Sequence, residues 1–180
     1  MPSPIAHTAA GYVVYKFYGL KEHKVFDTVG NNSTAFILAF VFSLMPDLDV
    51  IPAFFAGNVS YFHNNFTHSL GSGLIVALIV GATCQMIQGR GFKYWSILAL
   101  LCYELHVVMD YFTVGRGVML FWPLSNERYE PAITVFYGLR RSNGLLTLDH
   151  VWTLINELCF VLLLLILMRT YEKLRLNMSG

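Results

Sequence analysis

Long apolar stretches constrain the fold of this chain more than any other feature. The clearest runs from Asp149 to Met168 and contains the unbroken apolar segment Leu162–Leu167. A helix needs about 20 residues to cross the roughly 30 Å hydrocarbon core of a bilayer. The other apolar stretches are Pro4–Tyr18, Thr34–Met45 with its continuation Val50–Ala56 beyond Pro46, Leu70–Gln88 and Tyr94–Tyr111. The pattern predicts an all-α, polytopic membrane bundle of about four to five transmembrane helices, forming one domain over residues 1–180.

Composition excludes most other classes of protein. Of the 180 residues, 56% are hydrophobic and only 13% are charged. A soluble domain carries about 25% charged residues, so this chain has too few to cover a water-exposed surface. Its net charge of +1 gives no general attraction for nucleic acid. We therefore expect the lipid bilayer as a partner and no nucleic acid, whereas the oligomeric state is left open.

The positive charges indicate an orientation. If five helices alternate from an outer N-terminus, four arginines fall outside: Arg116, Arg128, Arg140 and Arg141. Eight basic residues then fall inside: Lys16, Lys21, Lys24, Arg90, Lys93, Arg169, Lys173 and Arg175. This bias predicts that the polar connection 115–147 lies outside, along the membrane interface.

Most of the histidines and several aspartates fall at one end of the predicted helices. Ionisable groups in or beside membrane helices are costly, so each needs a partner or a function. Alternating helices would bring these residues to one membrane boundary, although they are far apart in sequence: His7, Asp47, Asp49, His63, His68, His106, Asp110, Asp149 and His150. The sequence therefore predicts a single polar site at the outer boundary.

The residue types at this boundary suit a divalent metal. His106 and Asp110 are four residues apart, so they project from the same side of a helix. Imidazole nitrogen and carboxylate oxygen together suit zinc, and also manganese or iron. Asp47 and Asp49 could supply one ligand and either a hydrogen bond to a ligand or a bridge to a second ion.

Each of these residues also has an ordinary structural explanation. His106 and Asp110 could form only a buried ion pair, and Asp47 after Pro46 could be a turn former. A single histidine at a helix end is most often a hydrogen-bonded interfacial residue. Because all of these explanations would have to hold together at one membrane level, a metal site is the favoured interpretation.

Three motifs in order carry a resemblance to a known family. Pro46-Asp47-Leu48-Asp49, Thr67-His68-Ser69 and His106-x3-Asp110 resemble the pattern of the YdjM-like family of bacterial and archaeal inner-membrane proteins. The similarity covers His7 to about Ser125. Members are described as metal-dependent hydrolases. The resemblance thus implies an integral protein of the inner (cytoplasmic) membrane with a hydrolytic metal site.

That family is distantly similar to the all-helical zinc-dependent phospholipase C and single-strand nuclease fold. The residues that match its zinc ligands are His7, Asp49, His63, His106 and Asp110. In that fold a histidine follows the ligand aspartate by about 14 residues, the separation of Asp49 and His63 here, which favours Asp49 over Asp47 as the direct ligand. Asn64-Asn65-Phe66 stands where relatives often carry Arg-Gly, and His150 and Glu157 are seven apart rather than four. The resemblance therefore implies one or two ions rather than three.

Together these patterns predict a membrane-bound, metal-dependent hydrolase that acts on a phosphoester, with a lipid-linked ester as one candidate. A metal-activated water would attack the ester, and Asp47 and Asp49 are the candidate catalytic carboxylates. The expected ligands of a divalent ion, with zinc as the first candidate, are His7, Asp49, His63, His68, His106 and Asp110. Asn64 and Arg116 are the candidate substrate-binding residues.

Two other functions stay open from the sequence. The chain could be a metal-stabilised membrane scaffold or partner-binding protein without turnover, with the outer connection 115–147 as its contact surface. An ion carrier is less favoured, because the ionisable groups gather at a boundary and do not form a chain across the bilayer.

Overall fold

The computed structural model describes residues 2–19, 32–55, 64–138 and 148–179, and the regular secondary structure in these ranges is helical. The described ranges hold six α-helices: α1 Pro4–Val14, α2 Asn32–Leu44, α3 Val50–Phe55, α4 Leu70–Gln88, α5 Phe92–Tyr111 and α6 Leu148–Ser179. A π-helical turn, Tyr15–Gly19, continues α1, and a 3-10 turn, Met45–Asp49, joins α2 to α3. The described ranges contain no strand beyond two isolated bridges, so the predicted all-α fold is confirmed.

In the part of the chain that the structure describes, four helical stretches are long and apolar enough to cross a membrane: Ser33–Pro52, Leu70–Gln88, Phe92–Tyr111 and Val151–Leu174. Their outer surfaces carry large apolar side chains, such as Leu74 and Leu162, which are 51% and 58% exposed. A water-soluble bundle would bury such surfaces, whereas a bilayer solvates them. The prediction of about four to five spans is confirmed, with four candidate spans among the described residues.

The first helix runs alongside the last helix in the same direction. Near the start of α1 the Ser3 backbone N–H donates to Glu157 Oε1 at 2.6 Å. Further along, Lys16 Nζ lies 4.0 Å from Glu172 Oε1. Because α1 and α6 are parallel, their first residues lie at the same end of the bundle, as alternating helices require.

Small residues bring the helices close together at the polar end of the bundle. A Cβ atom added at Gly11 of α1 would lie 2.8 Å from the Ser43 Cβ of α2, closer than real Cβ contacts allow. In the main buried core, α5 contributes more residues than any other helix, among them Trp95, Leu98 and Cys102. The backbone of α2 at Ser43 is therefore held directly against α1.

Residues 112–138, which we call the capping segment, fold over the start of α4. The Leu70 N–H donates to the Leu120 carbonyl at 3.0 Å. Gly71 packs so closely that an added Cβ would lie 2.2 Å from the Trp122 carbonyl oxygen. Val118 is fully buried and pairs with Tyr129 in one of the isolated bridges. The capping segment thus forms an ordered cover at the end of the bundle where α4 begins.

Candidate metal centre

Four side chains from three parts of the chain meet at the polar end of the bundle. Asp47 comes from the 3-10 turn after α2, His68 from the turn before α4, and His106 and Asp110 from the last turns of α5. Each offers one donor atom, and these four atoms all lie within 4.8 Å of one another. The helical spacing of His106 and Asp110 places both on one side of α5.

Four of the six distances between the donor atoms lie close to those around a tetrahedral metal ion. His68 Nε2 lies 3.1 Å from Asp110 Oδ2 and 3.4 Å from Asp47 Oδ1. His106 Nε2 lies 3.6 Å from Asp47 Oδ1 and 3.8 Å from Asp110 Oδ2. Ligands at 2.0–2.1 Å from a tetrahedral zinc ion are about 3.3–3.4 Å from each other. The four side chains therefore need only small movements to coordinate such an ion.

A backbone carbonyl fixes the orientation of His106. Its Nδ1 lies 2.7 Å from the Ser43 carbonyl oxygen, which can only accept a hydrogen bond. Nδ1 must therefore carry the proton, and Nε2 presents a lone pair to the other three donors. Metal-binding histidines are commonly held in this way by a carbonyl or carboxylate on the opposite nitrogen.

A carboxylate occupies the corresponding position behind His68. Asp49 Oδ2 lies 3.4 Å from His68 Nδ1 and accepts a hydrogen bond from Thr67 Oγ1 at 2.8 Å. Tyr103 Oη donates to the Thr67 carbonyl at 2.6 Å, which ties the turn before α4 to α5. Asp49 thus orients His68 from the side opposite to the donor cluster.

Three carboxylates determine the protonation of His68. Burial by itself lowers its pKa, but contacts with Asp110, Asp47 and Asp49 outweigh burial and hold the pKa well above its ordinary value. Without a metal ion, the imidazole therefore keeps a proton between the carboxylates. A bound cation would take the place of that proton.

His7 contacts the cluster from α1 without joining the group of four donors. Its Nε2 lies 3.4 Å from Asp110 Oδ1, the carboxylate oxygen that does not face His68. Its ring stacks on His106 with 3.6 Å between centroids and 14° between planes. His7 can therefore orient Asp110, or bind a second ion that Asp110 would bridge.

Burial supports a cation site at this cluster. The side chains of His7, His68, His106 and Asp110 are fully buried, whereas that of Asp47 is 16% exposed. His106 Nε2 forms no hydrogen bond within the described ranges. A buried polar atom without one costs about 1–3 kcal/mol, so the residues present fit a bound cation that would satisfy them together. Of these five side chains, that of Asp47 is the one partly exposed to solvent.

The structure gathers six of the sequence-predicted residues here: His7, Asp47, Asp49, His68, His106 and Asp110. The sequence favoured Asp49 as the direct ligand. In the structure, Asp47 faces the donor cluster instead, and Asp49 lies behind His68. His63 lies outside the described residues, as do the side chains of Asp149 and His150. The Ser43 carbonyl was not anticipated, because a backbone contact carries no residue-type signal.

The two expected substrate-binding residues lie beside the cluster and not in it. Asn64 adopts a left-handed backbone conformation with φ +60°, which asparagine tolerates better than most residues. Its carbonyl accepts a hydrogen bond from Arg128 at 2.9 Å. Arg116 is exposed and lines a cavity together with Arg128. Arg128 was not singled out from the sequence.

The fold and the cluster define an integral membrane helical protein with a group of aspartate and histidine residues that could hold a metal ion. The family model described as YdjM inner membrane protein matches residues 1–176. The chain belongs to this YdjM family of inner-membrane proteins, which confirms the predicted resemblance and places it in the inner membrane.

A curated relative supports the same assignment. The chain is 32% identical over 97 residues to the inner membrane protein YbcI of Escherichia coli (strain K12), which covers 49% of this chain and 53% of YbcI. The match therefore spans about half the length of that relative. No solved structure matches the chain significantly.

Proposed function

We propose that this protein is a membrane-bound, metal-dependent hydrolase of phosphoesters. The observation that carries the proposal is the buried cluster of two imidazoles and two carboxylates, whose donor spacing is close to that around a tetrahedral ion and whose Asp47 side chain is partly exposed. Structural metal sites are usually closed by protein ligands, whereas catalytic sites keep one side open to water or substrate. The partial exposure of Asp47 favours the second kind.

The geometry supports specific roles for the residues. We assign Asp47, His68, His106 and Asp110 as the metal ligands. Asp49 then positions His68, which exchanges the roles expected for the two aspartates from the sequence. His7 orients Asp110 or completes a second ion site, so one or two ions fit.

The chemistry follows from these positions. A divalent cation, with zinc as the first candidate, would supply Lewis acidity that makes water more acidic and stabilises charge on a phosphoryl oxygen. Asp47 lies on the exposed side, and we assign its Oδ2 the role of accepting a proton from the attacking water. The buried side chains of His7 and Asp49 hold the ligands in place and exclude water from behind the site.

We propose that the site opens on the outer face of the inner membrane. The charge bias of eight basic residues inside against four outside supports this orientation. The parallel arrangement of α1 and α6 is consistent with the helix alternation on which that count depends.

Hydrolysis by purified protein tests the proposal. Wild-type protein in detergent should cleave a chromogenic phosphodiester or a phospholipid, lose this activity on chelation and recover it with added zinc or manganese. Asp47→Asn should lower the rate at least about 100-fold, because it removes both a ligand and the proton acceptor. Glu127→Gln, an exposed charge neutralisation in the capping segment, should leave the rate unchanged.

The opposite results would be informative as well. A protein with stoichiometric metal that cleaves neither substrate and unfolds on chelation would contradict the hydrolase and favour the metal-stabilised scaffold. Activity that survives both chelation and Asp47→Asn would contradict the role of the cluster.

A further inference from the structure

A cavity of about 440 Å³ lies between the turn that carries His68 and the capping segment. Its walls combine two arginines and an asparagine with three apolar or aromatic side chains: Asn65, Phe66, Arg116, Met119, Trp122 and Arg128. A volume of this size suits a small molecule or the head of a larger one.

Arg128 is held in the cavity wall by neutral groups. Its Nη1 donates to the Asn64 carbonyl at 2.9 Å and to the Gly117 carbonyl at 3.1 Å, and its Nη2 donates to Asn65 Oδ1. These bonds orient the guanidinium but do not neutralise its charge. Since a guanidinium has five N–H donors, Nε and one Nη2 hydrogen are not used by them.

A second positive charge lines the same cavity. Burial lowers the pKa of Arg128, and the nearby positive charge of Arg116 lowers it further. Two guanidinium groups in one cavity repel each other, and an anion between them would offset the repulsion. Arginine pairs are well suited to phosphate, which accepts several charge-assisted hydrogen bonds at once.

The remaining wall is apolar. The rings of Phe66 and Trp122 lie 5.5 Å apart between centroids, and Met119 lines the cavity beside them. Phe66 is 53% exposed, so this wall extends to the surface. Such a wall gives an apolar group attached to the anion a place to pack.

The cavity and the metal centre share one short turn. Asn65 and Phe66 line the cavity, and His68 presents its Nε2 to the donor cluster. The Cα atoms of residues 66 and 68 can be at most about 7.6 Å apart. The cavity and the metal centre are therefore built on neighbouring residues of the same turn.

We propose that this cavity binds a phosphate ester that carries an apolar group. Arg116 and Arg128 would bind the phosphate, and Phe66, Met119 and Trp122 would pack against the apolar group. That the bound ester is the substrate rests on the proposed hydrolase function, whereas the binding itself does not. The phosphate could belong to a membrane lipid or to a soluble ester, and the apolar wall predicts tighter binding of the lipid.

Binding by detergent-purified full-length protein tests the proposal. Anisotropy of a fluorescent phosphatidylglycerol, labelled on its acyl chain, reports binding of the lipid. Competition with unlabelled phosphatidylglycerol, phosphatidylcholine and glycerol phosphate then compares an anionic lipid, a zwitterionic lipid and a soluble ester. We expect phosphatidylglycerol to compete best and glycerol phosphate to compete at least tenfold more weakly.

The arginines are tested by substitution. Arg116→Gln and Arg128→Gln should each weaken binding about tenfold or more, since hydrogen bonds to charged groups are the strong ones. Arg128→Lys should be intermediate, because lysine keeps the charge without the guanidinium geometry. Arg90→Gln, an exposed arginine at the opposite end of α4, should bind as the wild type does.

The outcomes separate this proposal from the hydrolase. Binding that is equal in the wild type, Arg116→Gln and Arg128→Gln would overturn the cavity assignment, even if the protein hydrolyses phosphoesters. Equal competition by glycerol phosphate would overturn the role of the apolar wall. Since Arg128 also holds the turn, unchanged metal content in both glutamine variants is required for a weakened affinity to support the proposal. Arginine-dependent binding without any hydrolysis would leave the cavity supported and contradict the proposed function.

Discussion

Asp47 and Asp49 stand two residues apart in the 3-10 turn, yet they contact opposite nitrogens of one imidazole. Asp47 Oδ1 lies 3.4 Å from His68 Nε2, and Asp49 Oδ2 lies 3.4 Å from His68 Nδ1. Only Nε2 faces the donor cluster, so the two carboxylates have different tasks. One can bind an ion directly, and the other orients the histidine that binds it.

This difference predicts that removing the charge of Asp47 and removing that of Asp49 lower the metal affinity by different amounts. Asp47→Asn should bind no metal at micromolar metal concentrations, because it replaces a charged ligand with a neutral one. Asp49→Asn should retain binding with about 10- to 100-fold lower affinity, the usual loss when a hydrogen bond to a ligating histidine is removed. Competition with a chromophoric chelator measures both. Equal losses, or a larger loss for Asp49→Asn, would reverse the assignment.

At the residue scale, the sequence indicates which residues belong to the site better than it indicates where their side chains point. His106 and Asp110 could be paired from their spacing alone, because a helix fixes which residues share a side. Asp47 and Asp49 could not be distinguished in this way, because the direction of a side chain in a short 3-10 turn depends on what packs against it. Arg128 was missed because its role depends on the fold of the capping segment.

At the scale of helices, the contact between α1 and α2 controls the metal centre indirectly. Gly11 lies against Ser43, and the Ser43 carbonyl accepts the hydrogen bond from His106 Nδ1. Any side chain at Gly11 must displace the backbone or side chain of Ser43. The orientation of a candidate ligand on α5 thus depends on a glycine in α1.

Gly11→Val should therefore destabilise the protein by about 1–3 kcal/mol, the usual cost of overpacking, and weaken metal binding as well. Thermal unfolding in detergent and the chelator competition measure the two effects. Gly115→Ala is the matched control, because an added Cβ there meets nothing within 4 Å. A Gly11→Val protein with wild-type stability and metal affinity would contradict the proposed coupling.

Helix boundaries were predictable where a local signal marks them. The limits of α4 agree with the prediction, since Ser69 caps its start by accepting from the Ser72 N–H and Gly89 ends it with φ +70°. Pro46 was expected to disturb the second span, and a 3-10 turn is found there. By contrast, α6 continues to Ser179, well past the predicted Met168, because hydropathy marks only the part of a helix that lipid covers.

At the scale of the whole molecule, alternating helices explain why residues as distant as His7 and Asp110 meet. Both lie at the end of the bundle where α1 and α6 begin and where α5 ends. This gathering could be predicted from the order of the spans alone, because each crossing returns the chain to one of two levels. The atomic contacts within the cluster depend on helix rotation and close packing, which hydropathy does not determine.

The orientation of the bundle predicts which end an impermeant reagent can reach. In a variant whose native cysteines are replaced, Glu127→Cys in the capping segment should react with an impermeant maleimide on intact cells. Gln88→Cys at the other end of α4 should react only after the membrane is permeabilised. Both positions are exposed, so they form a matched pair. The reverse labelling pattern would place the cluster on the cytoplasmic side.

The metal content of the purified protein tests the central claim most directly. Elemental analysis of detergent-purified wild-type protein should find one or two divalent ions per chain. His106→Ala and Asp47→Asn should remove them, while Glu127→Gln should retain them. A wild-type protein without stoichiometric metal after growth and purification with zinc, or variants with unchanged metal content, would contradict the account.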